Sequence, residues 1–152
     1  MPYIVATLLL WTGLIILVGR KNLKKYYPVL IFTALLGTTA DLCGYVFRQW
    51  VYHGPVVGGL SIWSDLGIAP AEGGIFIRLF PAAKGLGTQG AYLMAWSFIN
   101  ALLEWIFVKL GWIGYYQWRP ARAFLFYIIF FGLVWVQEYW YNGTDRLRDK
   151  EN

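Results

Sequence analysis

Residues Ala91 to Leu110 read AYLMAWSFINALLEWIFVKL, a run long enough for a membrane-spanning helix that carries Ser97, Asn100 and Glu104 inside it. Steps of three and four residues put those side chains on one helical stripe. A carboxylate in the hydrocarbon layer is costly unless it is paired, protonated or turned to a wet interior. The stripe therefore reads in two ways, as a functional surface or as hydrogen-bonded contact between helices.

Composition agrees with a membrane setting. The 152-residue chain is 59% hydrophobic and 20% aromatic but only 14% charged, outside the range of soluble domains. Arg20, Lys21, Lys24 and Lys25 crowd one break between apolar runs, which reads as a cytoplasmic loop rather than a nucleic-acid patch. No basic stretch precedes the first apolar run, so it reads as a retained helix with its N-terminus outside. Cys43 and His53 are each the single residue of their type, so no intrachain disulfide and no Cys or His cluster exists; no metal and no cofactor is expected.

Working outward, hydropathy places helices at Tyr3 to Val18, Tyr27 to Phe47 and Ala121 to Tyr141, with a weaker third span from about Leu66 to Ala83. Arg48, Trp50, Tyr52 and His53 read as the interfacial end of the second helix, and Gly111 to Pro120 as an aromatic connection. Gln137 and Glu138 are expected to snorkel to the headgroups. Gly85, Gly87 and Gly90 spell G-x-G-x-x-G, but Leu79, Phe80 and Pro81 precede them where a strand would be needed, so they read as a turn. Hydropathy alone points to four helices plus a re-entrant segment. Charge counting points to five: Arg20, Lys21, Lys24, Lys25, Lys84, Arg146, Arg148 and Lys150 then lie inside, against Arg48, Lys109, Arg119 and Arg122 outside. The expected fold is an all-α membrane bundle of five helices with an irregular third. One domain covers residues 1–141 and a polar tail residues 142–152, where the Asn142-Gly143-Thr144 triplet is discounted as a glycosylation site on the cytoplasmic side.

A helical rise of about 1.5 Å per residue sets Asp41 and Glu104 each about 21 Å above the inner boundary, and Glu72 about 9 Å below the outer one. Three acids at one depth must share protons or a cation. Asp41, Glu72, Asn100 and Glu104 are thus the candidate binding site or ion pathway, with Arg78 as counter-ion. Thr33, Gly37, Gly44 and Ser97 are the candidate packing positions, for a partner helix within the monomer or for a homo-oligomer.

Lys24, Lys25, Tyr26 and Tyr27 open one span, Phe80 and Pro81 close a weaker one, and Trp96, Glu104, Trp105 and Trp118 follow. In that order, across most of Lys24 to Trp135, the chain resembles a family of small uncharacterised multi-pass membrane proteins of spore-forming Gram-positive bacteria. The resemblance implies a bacterial cytoplasmic-membrane protein of about five helices, carries an acidic residue onto Glu104, and supplies no activity. No Ser-His-Asp arrangement or H-E-x-x-H is present. The expected role is a non-enzymatic binding, scaffold or accessory subunit in the lipid bilayer, alone or in a larger membrane complex, without nucleic acid. The alternative is a proton- or cation-coupled transporter component, and a lipid-directed enzyme stands third.

Overall fold

The computed structural model describes residues 2–54, 56–57 and 60–143; the expected polar tail from residue 144 onward, with Thr144 of the glycosylation triplet, lies outside the described residues. Five helices, α1 (Pro2–Val18), α2 (Leu23–Val46), α3 (Ala69–Leu79), α4 (Leu86–Lys109) and α5 (Pro120–Asn142), make up most of the chain. Three of them, α2, α4 and α5, are long and apolar enough to cross a membrane, while α1 is a shorter apolar helix. The outer surface is oily in keeping with this: Leu8, Ile16, Leu35, Phe98, Ile129 and Val136 are all exposed.

The third helix is irregular, as its prolines and glycines suggest. A wide π-helical turn, Trp63–Ile68, runs directly into α3, and Pro70, which has no N–H to give to the preceding turn, follows it by two residues. Helix α2 begins at Leu23, earlier than hydropathy places it, and runs through Pro28. Near a helix start, that proline deprives only the Lys24 carbonyl of a partner, at the polar end of the helix.

Two segments assigned to helix ends and connections form strands instead. Trp50–Tyr52 (β1) and Ile113–Tyr115 (β2) pair antiparallel, Trp50 opposite Tyr115 and Tyr52 opposite Ile113. This ribbon caps one end of the bundle, and the helices alternate in direction beneath it. Tyr3 Oη at the start of α1 donates to the Trp112 carbonyl beside β2, whereas Arg78 Nε at the end of α3 donates to the Leu17 carbonyl at the end of α1. Helices α1 and α3 therefore run side by side away from the ribbon, and α2 and α4 run toward it. Arg20 to Lys25 and Lys84 lie at the far end.

Helix α3 is the centre of the bundle, with nearly all of Pro70 to Ile77 buried. Its glycines let this happen. A Cβ on Gly73 would overlap Thr33, and one on Gly74 would overlap Leu14 and Leu30. Phe76 fills the space toward α4 and α5, with ring centroids 5.0 Å from Phe131 and 5.3 Å from Tyr92. The small-residue face of α2 is thus occupied within the chain: Thr33 meets Gly73, Gly37 meets Ala69, and Gly44 receives the Trp50 ring. Glu138 does not snorkel. It is 1% exposed, because it continues the inward stripe of Phe131 and Val134 along α5.

Candidate functional site

Alternation along the ribbon builds the roof of the site. Trp50 and Tyr52 are two residues apart and share a face with their cross-strand partners Tyr115 and Ile113. That face turns into the bundle, where Ile113 is buried. Trp50 Nε1 and Tyr52 Oη both donate to Asp41 Oδ1, at 3.2 and 3.0 Å. On the other side Tyr115 Oη donates to Glu104 Oε1 in a short contact, and Trp118 Nε1 donates to the same oxygen at 3.0 Å. Tyr127 Oη of α5 completes the set, donating to Glu104 Oε2 at 2.7 Å.

The two halves follow one rule. Each acid lies five residues before the end of its helix, and its strand spans the ninth to eleventh residues after it, ending in the tyrosine that donates back: Asp41 with Tyr52, Glu104 with Tyr115. The Val51 and Gly114 pair lies at the centre of the ribbon, so the helix–strand units α2-β1 and α4-β2 share one spacing. Burial pushes the Tyr52 phenol well above its ordinary value and the Asp41 charge pushes the same way; Tyr115 is raised by burial and then by Glu104. Both phenols therefore stay protonated and donating.

Below the roof lies a chamber of about 290 Å³ between α1, α3 and α4, whose polar lining includes Glu72, Asn100, Glu104, Ser64, Tyr52 and Tyr127. A smaller space of about 90 Å³ adjoins it, sharing Ser64, Tyr52, Tyr127 and Glu72 and adding Asp41 and Asp65. The wide turn brings Asp65 to the same small space as Asp41. Asp65 is 3% exposed and its Oδ2 has no hydrogen-bond partner among the described residues.

Asp41, Glu72, Asn100 and Glu104 are thus brought around one interior. Arg78 is not: it is tied to Leu17 at the end of the bundle away from the ribbon, so it does not neutralise an acid as expected. Glu104 is held by neutral donors in its place. Ser97 is buried with an Oγ that has no partner among the described residues, and Asn100 Nδ2 donates to Trp96 of its own helix, so neither bond ties α4 to a neighbour. His53, exposed at the ribbon, donates from Nδ1 to the Gly111 carbonyl at 2.9 Å. Gly85 precedes α4, with Gly87 and Gly90 inside its first turns in open space. Among the described residues no three His, Cys, Asp or Glu side chains are grouped to hold a metal ion.

The residues that sequence reading missed are Asp65, Trp50, Tyr52, Tyr115, Trp118 and Tyr127. The repeated acid-to-tyrosine spacing of eleven was visible and marks two of them. Comparison with protein-family models, curated proteins and solved structures finds no match for this chain.

Proposed function

We propose that this chain crosses a bacterial cytoplasmic membrane five times, with its N-terminus outside, and acts by binding a small ligand in the acid-lined chamber rather than by catalysis. Three long apolar helices, alternating helix directions and the cluster Arg20, Lys21, Lys24 and Lys25 at the end away from the ribbon support the crossing. The bacterial setting rests on the sequence resemblance. One observation carries the binding role: Asp41 and Glu104 are satisfied by donors, while Asp65 Oδ2 is buried with no hydrogen-bond partner among the described residues and half-buried Glu72 lines the same space. Buried acceptors without partners are costly, so a ligand that supplies donors is the natural complement.

The test uses thiol accessibility. In a Cys43→Ala background, Ser64→Cys is expected to react with a small membrane-permeant thiol reagent, while buried Ser97→Cys is not. Equal silence of both would overturn the chamber as a binding space. Reporters fused after Asn152 and within Arg20 to Lys25 should lie on the same side; opposite sides would overturn five crossings.

A second reading, a proton-coupled transporter component, is favoured by the acids Asp41, Asp65 and Glu72 lining one small buried space. Asp65→Asn would then assemble normally and abolish proton flux into liposomes. Unchanged flux, or none in the parent protein, excludes it.

A further inference from the structure

We infer that the chamber takes a hydrophobic amine in its protonated form, admitted from the lipid through the gap between α1 and α4. The inference rests on the binding reading above and names the ligand class.

The gap is a feature of the packing. Helix α1 packs on α3 and the wide turn, and its meeting with α4 is slight, with Tyr3 edge-on to Phe107 near the ribbon. Leu9 and Leu103, 68% and 43% exposed, form its two lips, and Leu10 and Phe107 line the way in. An apolar mouth opening sideways suits a ligand that partitions into lipid.

The floor determines the head group. Glu72 stands where the larger and smaller spaces meet, and it has no hydrogen-bond or ion-pair partner among the described residues. Asp65 Oδ2 lies buried in the smaller space, also without a hydrogen-bond partner. Among the described residues no lysine, arginine or histidine lines either space. An ionised carboxylate offers acceptors and no donors, so its complement is a cation that offers donors and no acceptors, which is an ammonium group. A bare metal ion would need a shell of several oxygen or nitrogen ligands, and no such group is present among the described residues. A quaternary ammonium has no N–H to give to Asp65. A chamber of about 290 Å³ accommodates a single aromatic or short alkyl body.

The full chain in nanodiscs, measured by equilibrium binding against empty discs, tests this with 2-phenylethylammonium and its neutral counterpart 2-phenylethanol. The amine should bind saturably and the alcohol no more than to empty discs. Glu72→Gln should weaken amine binding by about tenfold or more, as loss of one partner of a buried charge pair does. Leu103→Trp changes an exposed lip and leaves the core intact, so it should weaken or slow binding even if the Glu72 variant fails to fold. Amine binding that is absent, unchanged in both variants, or matched by the alcohol overturns the inference. The Ser64→Cys reaction separates the two levels: a reactive chamber that binds no amine refutes the ligand class alone, and an unreactive one refutes both.

Discussion

Glu104 and Glu72 are glutamates on apolar helices facing one chamber, and their surroundings differ completely. Glu104 accepts from Tyr115 of β2, from Trp118 in the connection after it and from Tyr127 of α5, so three segments meet on one carboxylate. Glu72 has no such donors among the described residues and sits where the two spaces join. An acid whose acceptors are filled holds the fold together; an acid whose acceptors are free is available to something that arrives. Asp41 and Asp65 divide in the same way, Asp41 clasped by Trp50 and Tyr52, Asp65 left with a free oxygen.

The sharpest way to break this contrast is Glu104→Ala, which strands three donors beneath the ribbon. A loss of about 3 kcal/mol is expected in reversible unfolding in mixed micelles, and a loss under about 1 kcal/mol would show that the clasp is not structural. Asp41→Ala strands two donors and should cost about 2 kcal/mol by the same measurement.

Tyr115→Phe removes one donor and is expected to cost about 1 kcal/mol at neutral pH. Its pH dependence is more telling. The folded-state value of Tyr115 lies above the ordinary 10.0, so above that pH the folded state holds a proton the unfolded state has released. The contribution is full below pH 10.0 and fades as pH rises beyond it. The parent protein should lose more stability than the Phe variant in that alkaline window, and equal losses would refute the buried, raised phenol.

The smallest effect belongs to Glu72→Gln. With no partner to lose, its stability should stay within about 0.5 kcal/mol of the parent, or rise. A large loss would place Glu72 with Glu104 and erase the distinction.

Of the stripe Ser97, Asn100 and Glu104, the first two are buried and Glu104 is half-buried, and the three do not bond alike. Their donors and acceptors go to different places, and Ser97 Oγ to none among the described residues. Arg78 looked like a counter-ion because it lies near Glu72 along the chain, yet the helix turns it toward Leu17. The ribbon escaped notice because its two strands are three residues each and rich in interfacial aromatics, and neither has meaning without the other. The equal acid-to-tyrosine spacing was the signal that could have joined them.

By itself the sequence determined an all-α chain with helices long and apolar enough to cross a membrane, five helical segments, an irregular third, and which helices carry acids. These follow from hydropathy, helical period and backbone-restricting residues, all of which act over a few neighbours. Only the tertiary structure decided which acids are clasped and which are open. A carboxylate's role depends on the angular setting of its helix and on donors from distant segments, and both are fixed by how five helices and a ribbon close around α3.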